Sequence, residues 1–298
     1  MTRPLKNLEK SVHTRLLNIA KKTNRPFIQV LQLYAMERFL YRLAQSKHSK
    51  EFVLKGGLML RVWKAPVTRP TKDVDLLGRT KNTTRNLVLI VQDVCRHEVE
   101  ADGMQFDPST AVGSLINEDA EYNGVRVKFT ALLGVARVTM QLDVGFGDAV
   151  VPGPVEVEIP PLLDFPAPRM RGYQRETTIA EKFHAMVELG TINGRMKDFY
   201  DIWLLAQNFE FDGATLAEAI KATFGTRTTL VDLEPIALTP GFAEGEVAQQ
   251  RWTAFLRKSD LTDAPLRFAE TTRIIRSFVL PALQPQHTAR WKRGGPWK

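Results

Sequence analysis

Two aspartates with one residue between them, Asp73 and Asp75, are separated by fifteen residues from a glycine pair, Gly56-Gly57, and a third, Asp143, recurs in a later alternating run. On a strand, side chains at i and i+2 point to the same face, about 6–7 Å apart along the chain. Two carboxylates that close resist burial unless a cation neutralises them. Magnesium suits the pattern, being a hard cation that keeps part of its water shell and takes few carboxylates together with phosphate oxygens. Glycines at 56 and 57 would let backbone N–H groups approach a phosphate chain with no Cβ in the way, and Lys55 precedes them. Three acids from two neighbouring strands would make a two-metal site for in-line phosphoryl chemistry. The plainer alternative is a pair of solvated aspartates on an edge strand beside a glycine turn. Val74 and Leu76-Leu77 weigh against it, because they give the strand a buried face.

The elements that must position these groups follow from periodicity. Leu16, Leu17 and Ala20 form one helical strip, and Ile28, Leu31, Leu33, Tyr34, Phe39 and Leu40 recur at helical spacing after Pro26. The run Phe52-Val53-Leu54 leads into the glycine pair, and Pro66–Pro70 is loop chemistry before the Asp73–Leu76 strand. Leu87–Val94 predicts a helix. From Val112 to Phe146 the texture is β, with Asn123-Gly124 as a hairpin turn. Proline-rich 152–168 reads as a connection, or an edge strand at Val155–Val157. Helical patterns then cover Thr178–Leu189, Lys197–Ala206, Ala214–Ala222, Glu246–Leu256 and Leu266–Phe278. The basic tail Arg290–Lys298 is expected to be mobile. The fold class is therefore α/β: helices, a small mixed sheet, then a helical half, divided into domains 1–170 and 171–298.

Composition excludes several classes. With 298 residues the chain can bury a proper core, and 44% hydrophobic with 25% charged residues is ordinary globular balance. A single cysteine, Cys95, leaves no disulfide framework and no multi-cysteine zinc site, and reads as a small core residue. No internal repeat is visible, and no uncharged apolar run approaches the ~18 residues of a membrane span. The N-terminal MTRPLKNLEK lacks the apolar core of a signal peptide, so a soluble cytoplasmic protein without a membrane partner is expected. The net charge of +8 favours an anionic partner, and Lys55, Arg61, Arg69 and Lys72 crowd positive charge around the aspartates in sequence. The histidines, His13, His48, His97, His184 and His287, show no metal-ligand spacing, and His184 reads as helix surface.

Further groups bear on the site. Lys182 falls at the edge of the apolar stripe Ile179, Phe183, Met186 and Val187, where an ammonium reaches a cleft or simply snorkels. Asp198 and Asp201 share a helix face three residues apart, as a functional pair or as dipole-favoured first-turn acids. Thr71, two residues before Asp73, shares the face of both carboxylates if the strand extends that far. In the tail, Trp291 and Trp297 interleave with Arg290, Lys292, Arg293 and Lys298, a mixture that can grip single-stranded RNA.

The order Gly-Gly, Asp-x-Asp, then a lone Asp on a later strand resembles the DNA polymerase β-like nucleotidyltransferases. More narrowly, the sequence is similar to the AbiEii/AbiGii nucleotidyltransferase toxins of type IV toxin–antitoxin systems. The resemblance rests on Glu37–Leu43, Leu54–Gly57, Arg69–Leu77 with its Arg-x-Thr-x-Asp-x-Asp pattern, Leu142–Gly147, Ala180–Phe183 and Arg195–Asp201. It implies a polymerase-β-like core joined to a helical half, with Mg²⁺ on Asp73, Asp75 and Asp143. It implies an NTP held by Lys55, Gly56, Gly57, Thr71 and Lys182. Asp73, Asp75, Lys182 and Asp198 would be catalytic, with Asp201 the second choice for the last. Phosphorylation of Thr71 would silence the protein by setting a phosphate against the triphosphate. The acceptor implied is an RNA 3′ end, foremost tRNA, whose modification blocks translation and growth, and a cognate antitoxin is the implied partner. One departure is Gly57, where many polymerase-β-like enzymes carry serine; backbone donors would replace that hydroxyl. Two rival functions are nucleotidylation of a protein hydroxyl and a non-catalytic nucleic-acid-binding module.

Overall fold

The computed structural model describes residues 8–66, 69–117, 123–284 and 289–298. The N-terminal segment read for a leader (beyond its last three residues), Val67 and Thr68 of the proline loop, and His287 lie outside the described residues. The chain forms two units. The first holds the described residues up to Trp63, with Pro70–Gly147 and Val155–Gly172; the second holds Lys64–Arg69, Asp148–Pro154 and Tyr173–Lys298. The main division thus falls between Gly172 and Tyr173, and two short excursions cross it.

The first unit contains α1 (Leu8–Lys22), α2 (Phe27–Gln45), β1 (Phe52–Lys55), α3 (Met59–Val62), β2 (Asp73–Gly78), α4 (Thr84–Arg96), β3 (Gln105–Asn117), β4 (Asn123–Leu133), β5 (Ala136–Phe146), β6 (Val155–Glu158) and β7 (Arg169–Gly172). Its seven strands run in the order β3-β4-β5-β2-β1-β7-β6. The β2–β5 and β1–β7 pairs are parallel and the others antiparallel, so the sheet is mixed as the sequence predicts. Alternation gives this sheet two unlike faces. On one, Leu54 pairs with Leu76, Leu76 with Val144 and Val144 with Val125, all buried. Phe39 of α2 closes on Phe129 of β4 at 4.8 Å between ring centroids. Leu87, Ile90, Val91 and Val94 bury the inner stripe of α4, whose N-terminus is capped by Thr83 accepting from the Asn86 N–H. Each such fully buried side chain contributes about 1.5–3 kcal/mol. The opposite face carries Lys55, Asp75, Asp143 and Arg126 by the same alternation.

Three local expectations need correction. Asn123 and Gly124 are not a turn: they begin β4, paired with Asn117 and Ile116. A Cβ on Gly124 would lie 3.2 Å from the Val144 carbonyl oxygen, so the glycine answers a close backbone approach there. The two-residue hairpin loop is Gly134-Val135, closed by the Leu133–Ala136 pair, with Gly134 at φ +58°. β3 begins at Gln105 instead of Val112, its register broken between Asp107 and Val112. β7 was not expected at all, while β6 does lie at the sheet edge.

The second unit contains α5 (Arg175–Leu189), α6 (Met196–Asn208), β8 (Phe211–Asp212), α7 (Gly213–Thr226), α8 (Pro240–Ala243), α9 (Glu246–Ser259), α10 (Phe268–Ala282) and β9 (Arg290–Trp291). The five helices expected from periodicity are present, longer by a few residues. The tail is folded, not mobile. β9 pairs with β8, Trp291 is 2% exposed, and its indole N–H donates to the Ala206 carbonyl at 2.7 Å. Trp297 stacks on Phe278 at 5.9 Å and donates to the Ser277 and Phe278 carbonyls. The indoles are turned into this packing, while Arg290, Lys292, Arg293 and Lys298 remain exposed. His184 is also corrected: it is buried, edge-on to Phe224, with Nδ1 accepting from Arg227 and Nε2 donating to the Thr229 hydroxyl. Among the described residues no helix is long and apolar enough to cross a membrane.

Candidate active site

The polar face of the sheet aligns its charges in a row. Lys55 on β1 pairs with Asp75 on β2, Asp75 with Asp143 on β5, and Asp143 with Arg126 on β4. Residues in direct register share a face, so four adjacent strands present a cation, two anions and a cation side by side. Asp73 stands one step along β2, opposite Gln141. The sequence reading groups Asp73, Asp75 and Asp143; backbone pairing sets Asp75 opposite Asp143 and Asp73 opposite Gln141, with each acid half-buried.

Gly56 is required for a reason the sequence does not reveal. It has φ +70°, and a Cβ there would lie 2.0 Å from Asp75 Oδ2. The bare Cα is what makes room for the Asp75 carboxylate. Gly57, the next residue, is buried at the start of the turn leading into α3. Thr71 lies outside the strand, since β2 starts at Asp73; its hydroxyl donates to the Asp73 carbonyl at 3.4 Å. Two of the four crowded cations are used elsewhere. Arg61 donates to the Pro160 carbonyl beside buried Glu37, and Arg69 belongs to the second unit. Lys72 is exposed and Lys55 ends β1.

In the second unit a buried ion network surrounds Lys182. Its Nζ donates to Asp198 Oδ1 at 2.7 Å and lies 2.8 Å from Asp201 Oδ2. Arg69 forks Asp201 through Nε and Nη2, both at 2.8 Å, and Arg195 Nε donates to Asp198 Oδ2 at 2.7 Å. Both aspartate side chains are 1% exposed and that of Lys182 12%, so Lys182 is no snorkelling surface lysine. Burial pulls against each charge, but the partners win. Asp198 and Asp201 hold the ammonium above its ordinary range, Lys182 and Arg195 hold Asp198 down to about 2, and Arg69 and Lys182 hold Asp201 low. Lys182 is therefore a fixed cation at neutral pH and not a proton acceptor. Both aspartates, not one, orient it.

Sequence reasoning missed Arg126. Its Nε and Nη2 donate to Asp143 Oδ1 and Oδ2 at 2.8 and 2.7 Å, and Gln141 adds a donor to Oδ2 at 3.2 Å. The signal was available: Arg126 and Lys128 interrupt Val125, Val127 and Phe129 with the period of a two-faced strand. Among the described residues no three His, Cys, Asp or Glu side chains converge closely enough to hold an ion by themselves. The donor set nevertheless fits magnesium of one kind: an ion that takes one or two of these carboxylates and completes its shell with water and nucleotide phosphates.

No curated protein matches the chain. Among solved structures, JHP933 from Helicobacter pylori aligns over 86% of this chain and 93% of its own, at 15% identity and a TM-score of 0.49. A second H. pylori structure, whose description proposes a nucleotidyltransferase, aligns over 85% and 95% at 14% identity and a TM-score of 0.46. A family model described as nucleotidyl transferase AbiEii toxin, type IV toxin–antitoxin system, matches residues 38–277, from α2 through most of α10. The chain belongs to the AbiEii nucleotidyltransferase toxins of type IV toxin–antitoxin systems.

Proposed function

We propose that the protein transfers a nucleoside monophosphate from a magnesium-bound NTP to the 3′ hydroxyl of an RNA, tRNA foremost, and thereby blocks translation and growth. The observation that carries the reading is the register of the polar face, which sets Asp75 beside Asp143 with Gly56 clearing space for the Asp75 carboxylate. One or two carboxylates of the Asp73, Asp75 and Asp143 row would hold the magnesium, its shell completed by water and nucleotide phosphates, and the ion would supply charge neutralisation of the triphosphate and of the leaving pyrophosphate. The new bond joins the RNA 3′ oxygen to the α-phosphorus, the bond to the β-phosphate bridge breaks, and a carboxylate of the row takes the hydroxyl proton. The rigid sheet contributes position and preorganised charge, the main source of rate in such transfers.

Lys55, Gly56 and Gly57 of the first unit are proposed to seat the triphosphate, and Lys182 of the second unit is separately proposed as a phosphate-binding cation. Lys182 suits that role because its positive charge is fixed by Asp198 and Asp201. A phosphate on Thr71, two residues before Asp73, would bring about −2 charge to the acids and compete for the same cations. A cognate antitoxin follows from the family.

The test is transfer of label from each α-labelled NTP to total tRNA, with Asp75→Asn as control. Label on tRNA that falls at least about 100-fold in the variant is expected, from the loss of a charge-stabilising group. Label on protein would move the acceptor to a protein hydroxyl. No label from a folded protein that binds Mg·NTP would overturn the RNA acceptor.

A further inference from the structure

The fork between Arg126 and Asp143 has a consequence for how the site takes its cation. Both carboxylate oxygens of Asp143 accept from one guanidinium, and Gln141 supplies a third donor. The pair is partly accessible, with Arg126 32% and Asp143 16% exposed, so it is neither sealed in the core nor loose in solvent. A bidentate guanidinium offsets a carboxylate's charge and occupies two of its roughly four lone-pair sites, and the Gln141 donor takes a third. Asp75, the neighbour of Asp143 in register, has Lys55 on its other side. A divalent ion approaching the acids therefore meets one carboxylate already neutralised and a like charge beside it.

Resting on the magnesium-dependent reading above, we infer that Arg126 is a positioning residue that competes with the cation for Asp143. The row then holds a free divalent ion weakly, while an ion carried by an NTP brings phosphate oxygens that replace the third carboxylate and offer the guanidinium an alternative anion. Nucleotide and metal thus enter together. This differs from a merely structural ion pair, which would affect stability and leave metal affinity unchanged.

Mn²⁺ alone, followed by electron paramagnetic resonance on the full chain, tests the inference. Arg126→Gln keeps a hydrogen-bond donor and removes the charge, so it should bind Mn²⁺ about tenfold more tightly than the wild type. Arg126→Lys keeps the charge and should stay within about twofold of the wild type. In an Asp143→Asn background the Gln substitution should add nothing, since the cycle removes the group through which Arg126 acts. Equal or weaker binding by a folded Arg126→Gln protein would overturn the inference, as would a gain that survives in Asp143→Asn. Asp75→Asn checks the underlying reading separately: unchanged Mn²⁺ affinity there would remove the metal from these acids altogether.

Discussion

Glu37 and Lys182 are both buried ionisable groups, and their surroundings send them in different directions. At Lys182 two carboxylates outweigh burial, so the ammonium and its partners keep their charges between about pH 5 and 9. At Glu37 burial outweighs Arg38, the Leu162 N–H and Arg61, and the carboxyl is pushed up from 4.5 to about 7. The folded chain thus prefers the neutral acid. Its contribution is full below 4.5 and is lost as pH rises through 7. Between pH 4.5 and 8.5 that loss amounts to roughly 3 kcal/mol. Urea unfolding at several pH values should show a shallower fall in stability for Glu37→Gln than for the wild type; parallel curves would place the ionised acid comfortably in the fold. The site residues were legible to different degrees for a related reason. Asp73, Asp75 and Asp143 announce themselves by local alternation, whereas the Asp201–Arg69 fork joins residues 132 apart in sequence and the Asp143–Arg126 fork depends on the register of the β4–β5 hairpin.

At the scale of elements, helices were read well because their stripes are long and regular, as at Leu87–Val94 inside α4. Strands were read less well where turn chemistry misleads. Asn123-Gly124 carries a strong hairpin signal, yet it lies in β4, because the sheet needs a residue without a side chain against the Val144 carbonyl. Four-residue β7 is too short for any period to show. The tail was misread because basic composition suggests solvation, while two indoles supply the anchoring energy. Trp291→Ala should destabilise the protein by about 3–5 kcal/mol in urea unfolding, the usual range for emptying a large aromatic site. A change below about 1 kcal/mol would mean that the tail adds little to the second unit.

For the whole molecule, the excess of 41 basic over 33 acidic residues gives +8, and the cations of the tail contribute outward charge without the indoles. Under the proposed function, binding of an RNA acceptor should therefore be led by phosphate contacts and only weakly by base stacking. The expected result is a slope of log affinity against log salt steeper than about −2, the value for three neutralised phosphates on a single strand. A flat salt response would assign the affinity to stacking instead.

Cys95 bears on how such measurements can be made. Half-buried against the core, it has its thiol pushed up to about 12 by burial, so almost none is thiolate at neutral pH. Val135, by contrast, stands fully in solvent at the two-residue loop joining β4 to β5, the strands that carry Arg126 and Asp143. The native chain thus offers a nearly silent background for maleimide chemistry, and one cysteine at position 135 would attach a single dye to these strands without removing the native thiol.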